Sequence, residues 1–315
     1  MVPAVKKVLQ RTMVLGAGLL GAGGLWAAGD AMRSAEVEAI TRDMKLVANA
    51  DLDVDGDGTP EEVFFFKDGT NGGGFYAVRT KGKLLKQVAC VYLEGHTPTE
   101  ATVAGKDLTL TLEKEEKPLT LTMGKDVGIT GGEGDPFADP KIVASSSLKG
   151  ADHAPGNVFD GDLGTSWSEG KDGTGIGETL SVEFRKPAAV GLMGVFNGRG
   201  TNAKDFKDVN RVRKAVVEVS TPSNVGDSSA NLDFADLGID SGGHKVEASF
   251  NNRPEFRWFR VTEEDVLRLT IHVESVFLGD RKDDTHISEV AFCQMLADTK
   301  VKQLLKRKRP AAAKP

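Results

Sequence analysis

The sequence predicts an all-β protein, a β-sandwich preceded by a small antiparallel β domain. Three observations carry this. Apolar runs with a period of two recur between Val63 and Met123 and again between Leu180 and Val273. Glycine-rich turns such as Asp68–Gly74 separate the early runs at the spacing of short strands. One stretch without periodicity, Gly131–Pro140, holds glycine, proline and acids and divides the chain in two. Length agrees, because 315 residues accommodate about two domains, and a hydrophobic content of 39% is enough to fill their cores.

Residues 1–29 read as a signal peptide. Lys6, Lys7 and Arg11, with no acid among them, precede an apolar stretch from Met13 to Ala28 that is short and glycine-rich for a membrane span. Ala27 and Gly29 supply small residues for cleavage before Asp30. An exported protein is expected, periplasmic, cell-surface or secreted, with membrane contact only through an uncleaved signal. Residues 30–128 form the small β domain. A helix over 30–48 opens it, and strands follow at Val63–Phe66, Phe75–Val78, Gln87–Leu93, Leu108–Leu112 and Leu119–Met123. Residues 129–139 are the linker and residues 140–297 the sandwich. There Leu180, Val182 and Phe184 alternate with Ser181 and Glu183, Ala215 with Val217 and Val219 keep the same period, and Leu267, Leu269, Ile271 and Val273 oppose Arg268, Thr270, His272 and Glu274. The polar stretches Asn197–Asn210 and Ser220–Asn231 read as long loops, where recognition is usually carried. Residues 298–315 are expected to be a basic disordered tail.

Charge is unevenly spread. Removing the +3 of residues 1–29 and the +7 of residues 300–315 from the net −6 leaves −16 for the body. An acidic body argues against nucleic acid as a partner and suits cations. Cys90 and Cys293 each lie in an apolar, strand-like run. Two buried free thiols are the favoured expectation, although export would permit one bridge between the domains. His96, His153, His244, His272 and His286 are dispersed and form no metal-ligand motif, and no nucleophile elbow is present. A non-catalytic protein is expected, with a carboxylate hydrolase at the domain junction as the enzymatic alternative and a structural envelope protein as the other.

Residues 51–62 place carboxylates at alternate positions with glycines between them, DLDVDGDGTPEE. Calcium takes several hard oxygens from a tightly curled loop, and glycine permits the curl. An EF-hand register would use Asp51, Asp53, Asp55 and Glu62, but Gly58 stands where an apolar residue belongs and Val63–Phe66 reads as strand rather than helix. The preferred register uses Asp53, Asp55, Asp57, the Thr59 carbonyl and Glu61. It resembles the D-x-D-G-D-G-x-x-E loops of FG-GAP and VCBS-type extracellular repeats, which lie between strands. Unpaired, these carboxylates repel one another, so a cation is expected.

Four phrases occur in order across the second half: SSSL at Ser145–Leu148, NVFDGDLGTSW at Asn157–Trp167, GIGETLSVEF at Gly175–Phe184 and DDTHISEVAF at Asp283–Phe292. Together they resemble the discoidin-like, or coagulation-factor type C, domains of the galactose-binding-like fold, and most closely the glycan-binding domain beside secreted NAD glycohydrolases. The resemblance implies a binding module for a glycan, another cell-surface polymer or a protein. It also implies a calcium ion tying an Asp-Gly loop to a late glutamate, which maps onto Asp160, Asp162, Thr165 and Glu289. Two carboxylates two residues apart, Gly161 at the bend and a threonine oxygen suit that ion on chemical grounds as well. Candidate ligand-binding residues are Asp172, Asn197, Arg199 and Arg211. Arg199 stands where relatives often carry an aromatic. Trp167 is expected to plug the core beneath its loop, and Glu178 to be structural.

Overall fold

The computed structural model describes residues 35–81, 84–132, 134–200, 203–222, 244–281 and 284–307. The expected signal peptide and the end of the basic tail lie outside these residues. The architecture is all-β, as the alternating runs require. The first half contains helix α1 (Ala35–Thr41) and strands β1 (Lys45–Leu52), β2 (Glu61–Asp68), β3 (Gly72–Lys81), β4 (Leu84–Glu94), β5 (Pro98–Ala104), β6 (Asp107–Leu112) and β7 (Leu119–Thr122). The second half contains β8 (Lys141–Ala144), β9 (Trp167–Ser168), β10 (Thr179–Asn197), helix α2 (Ala203–Asp208), β11 (Asn210–Ser220), β12 (Lys245–Ser249), β13 (Phe256–Phe277), β14 (Thr285–Leu296) and helix α3 (Asp298–Leu305).

The long strands β10 and β13 pair antiparallel from Thr179–His272 to Phe196–Phe256, with register shifts around Ala188 and Val190 that bend both of them. Such bends let one strand serve two layers, and the sandwich of the second half is built on this pair. Its core gathers Trp167, Val182, Phe184, Val195, Leu269, Ile271 and Phe292. The alternation at Leu180–Phe184 and Leu267–Val273 is borne out, each apolar member lying buried. Fully burying side chains of this size contributes about 1.5–3 kcal/mol each.

The first half is not a separate layer. Strands β1 to β4 run antiparallel in sequence order, and β4 then pairs in parallel with β14 through Val91–Gln294, Tyr92–Met295 and Leu93–Leu296. One sheet therefore crosses the expected domain boundary, and among the described residues only β5–β6–β7 form a sheet of their own. A shared core lies at the crossing, where Phe64, Tyr76 and Tyr92 meet Leu192, Phe196 and Phe256. Glycine permits the approach: a Cβ on Gly191 would lie 2.5 Å from the Cβ of Tyr92, and one on Gly194 would lie 2.7 Å from the Trp258 ring. Cys90 and Cys293 form a disulfide here, which corrects the expectation of free thiols. It closes a sequence separation of 203 residues; in the chain-entropy model, constraining so long a loop is worth about 5 kcal/mol.

The first and last described segments both pack onto the other half of the protein. The Trp258 indole N–H donates to the Ile40 carbonyl at 3.0 Å, and the Asp43 carboxylate accepts the Trp258 backbone N–H at 3.0 Å. Residues 298–305, assigned from sequence to a disordered tail, form α3 instead. Val301 and Leu304 sit in the first-half core, and Arg307 pairs with Asp126 at 2.9 Å. An apolar residue every third position outweighed the basic composition. Among the described residues, no helix is long and apolar enough to cross a membrane.

Candidate functional site

The acidic loop of residues 53–61 connects β1 to β2. Gly56 and Gly58 adopt left-handed backbone (φ 78° and 89°), which lets the loop curl on itself. Asp53 accepts the N–H groups of Gly56 and Gly58 at 2.8 and 2.9 Å, Asp57 accepts that of Thr59 at 2.8 Å, and Glu61 accepts that of Val54 at 2.9 Å. Oxygens of Asp53, Asp55 and Glu61 come within 4.8 Å of one another. The donor types fit a hard divalent cation.

A positive charge already stands there. Arg79, projecting from β3, donates to Asp57 at 2.8 Å, to Asp55 at 3.4 Å and to the Thr59 carbonyl at 3.2 Å, and it also pairs with Glu61. These partners are four of the five ligands expected for calcium. Burial pushes the Glu61 carboxyl up, against the pull of the Val54 N–H and Arg79. The Thr59 N–H and then Arg79 hold Asp57 down. Arg79 itself is held firmly charged, because its carboxylate partners outweigh its partial burial. For calcium to enter, the guanidinium has to withdraw.

The second acidic turn is arranged differently. Asp160 accepts the Asp162 N–H at 2.7 Å and the Thr165 hydroxyl at 2.7 Å, while Asp162 accepts the Gly164 N–H at 2.8 Å. Glu289 reaches over from β14 and accepts the Gly161 N–H at 3.0 Å. The four predicted ligands are neighbours, as the phrases require. Their carboxylate oxygens do not gather into one sphere, because each is turned to a backbone or hydroxyl donor of its own loop. Among the described residues no basic side chain pairs with these carboxylates. Burial first, then the charge of Asp160, raises the Glu289 carboxyl well above the usual range.

The four proposed ligand-binding residues are dispersed. Asn197 is buried and clamps both main-chain groups of Val212. Arg211 is also buried, donating to the carbonyls of Phe206, Val209 and Leu278. Both hold the fold at the start of β11 rather than face solvent. Arg199 is partly exposed and donates to the Gly164 carbonyl at 2.8 Å, beside the second acidic turn. Asp172 lies in a separate shallow hollow with Lys171 and Gly175. Trp167 is fully buried and donates to the Ser146 carbonyl at 2.9 Å, so it plugs the core as expected. Glu178, also buried, is structural: it accepts the Ser145 hydroxyl at 2.6 Å and pairs with Lys171.

Sequence reading missed two constellations. Ser166 and Ser168 meet His286 at 2.9 and 2.6 Å, with the His153 ring 5.7 Å away. Ser166, Ser168 and His286 are fully enclosed, so the serines are not presented to a substrate. The other is a cleft of about 750 Å³ at the junction, lined from β3, β4, the 130–140 segment, the 156–161 turn and β14. Residues so far apart in the chain leave no joint pattern in sequence.

Residues 138–293, just under half of the chain, match the family model described as the NAD glycohydrolase translocation F5/8 type C domain. Similar solved structures include the arabinofuranosyltransferase AftD from Mycobacteria, at 13% identity over 49% of this chain and 11% of that one, with a TM-score of 0.36. The family 32 CBM from C. perfringens NanJ, in complex with galactose, is similar at 14% identity over 50% of this chain and 95% of that one, with a TM-score of 0.34. The F5/8 type C domain of a Bacteroides fragilis protein follows at 12% identity, 50% and 93% coverage and a TM-score of 0.33. This chain thus spans about a tenth of AftD, 11% of its length. No curated protein matches the chain.

Proposed function

We propose that this chain is an exported, non-catalytic saccharide-binding protein of the cell surface or its surroundings. The match of residues 138–293 to an F5/8 type C family model carries the reading. The acidic body and the enclosed Ser–His group favour binding over turnover. The basic succession at residues 1–29 supports export. Calcium belongs to this reading at the loop of Asp53, Asp55, Asp57, Thr59 and Glu61, where the ion would take the place that Arg79 holds. It would supply charge neutralisation and loop rigidity there, not chemistry.

A glycan array probed with the mature chain, with and without chelator, tests the reading. Selective retention of one saccharide group, without its hydrolysis, is the expected result. An empty array would leave the structural-protein alternative in place. Turnover of a bound saccharide would instead establish the junction hydrolase.

A further inference from the structure

We infer that the saccharide contacts the junction cleft, between the first-half sheet and the sandwich, and that the cleft selects sugars without anionic substituents. This rests on the saccharide-binding reading above and places the ligand away from the loops of Asp172 and Arg199. Two buried polar ends face the cleft with bonding capacity to spare. Glu289 is 9% exposed, and one of its oxygens accepts the Gly161 N–H; the other accepts no hydrogen bond from the described residues. Tyr76 is 2% exposed, and its hydroxyl likewise has no hydrogen-bond partner among the described residues. Neither atom is sealed from solvent, so each can exchange water for a ligand hydroxyl. A carboxyl oxygen and a phenol lining the same cleft suit the hydroxyls of a sugar ring.

The remaining lining completes such a site. Apolar area predominates, supplied in part by Phe137, Phe159 and Phe292, and Phe159 is half-buried and stacked on Phe292 at 5.7 Å. Asp135, Asp139 and Asp160 add negative charge around the opening, against Lys86 from the lining and Arg185, which pairs with Asp139 at 3.4 Å. Acid predominance repels uronates and favours neutral or amino sugars. The volume of about 750 Å³ falls within the usual range for small-ligand sites.

The test uses the full mature chain and three probes, namely a glucosamine trisaccharide, its N-acetylated counterpart and a mannuronate trisaccharide, titrated calorimetrically in chelator. The amino and N-acetyl sugars should bind and the mannuronate should not. Gly156→Trp offers a block that spares the core, since a Cβ there meets nothing within 4 Å and the residue lines the cleft. It should abolish binding with the melting temperature kept. Tyr76→Phe should weaken binding about tenfold, the loss of one hydrogen bond, and Arg199→Ala should leave it unchanged. Equal or tighter binding of mannuronate, full affinity in Gly156→Trp, or affinity that appears only with added calcium would overturn the cleft assignment. If the trisaccharides and a broad array all fail to bind the unaltered chain, the saccharide-binding reading itself falls.

Discussion

The two acidic turns, residues 53–61 and 160–165, carry similar carboxylate and glycine spacing and meet their charge in different ways. In the first, Arg79 crosses from a neighbouring strand and touches Asp55, Asp57, Thr59 and Glu61. In the second, Arg199 reaches only the Gly164 carbonyl and no described basic side chain pairs with the carboxylates; Asp160 and Asp162 each accept the N–H two residues on, and Glu289 is left with burial as its dominant influence. Carboxylate spacing thus establishes that a cluster needs compensation. It does not say whether an ion, a side chain or the backbone provides it.

Removing Arg79 is the most forceful way to break this contrast. Arg79→Ala leaves the buried Glu61 and its neighbours uncompensated, and a loss on the order of 3 kcal/mol is expected. Millimolar calcium should restore part of it, while the unaltered chain should respond less. Urea unfolding with and without calcium measures both, and an Arg79→Ala protein as stable as its parent and indifferent to calcium would dissolve the contrast.

At the second turn the expected loss is smaller. Asp160→Ala deletes two hydrogen bonds, about 1–2 kcal/mol in all, and calcium should not change that figure. A calcium-dependent melting temperature in the unaltered chain that disappears in Asp160→Ala would show that the ion sits here instead.

A second pair sharpens the comparison with smaller effects. Glu178 and Glu169 are both buried, but only Glu178 has a lysine partner. Burial raises Glu178, and Lys171, Ser145 and Ser146 together outweigh it, so its carboxyl is lowered. Its stabilisation is present above the unfolded glutamate range and lost as pH falls through the lowered folded value. Burial raises Glu169 past the opposing N–H groups of Lys171 and Thr285. Its cost therefore grows as pH rises from the unfolded range through the raised folded value. Glu178→Gln should flatten the acid side of a stability–pH profile, and Glu169→Gln the side above it. Profiles that change in the same direction would contradict this assignment.

Much of the fold was legible because strand alternation is local. Val63–Phe66, Phe75–Val78 and Leu267–Val273 each announce a buried face without reference to any partner, and the Asp-Gly and glycine-rich turns announce where the strands stop. The neighbourhood of Asp160, Thr165 and Glu289 was legible for another reason, since the resemblance fixed which distant phrases meet. By contrast, Asn197 and Arg211 looked like exposed loop residues and proved to be interior clamps, because their carbonyl partners come from residues whose positions depend on strand pairing. Arg79 was equally invisible as a partner for Glu61, because only the pairing of β2 with β3 brings the two together, and an ordinary alternating run surrounds Arg79 in sequence.

By itself, then, the sequence determined the all-β class, many of the strands and the location of the acid-rich turns, since each depends on residues within a few positions of one another, whereas residues 45–48, read as helix, belong to β1. Tertiary structure alone decided that β4 joins β14, that Cys90 meets Cys293, which cation reaches which loop, and that a cleft opens at the junction. Those outcomes rest on contacts between segments as much as 200 residues apart, and such contacts are selected by the packing of whole faces against each other, which no short stretch of chain encodes.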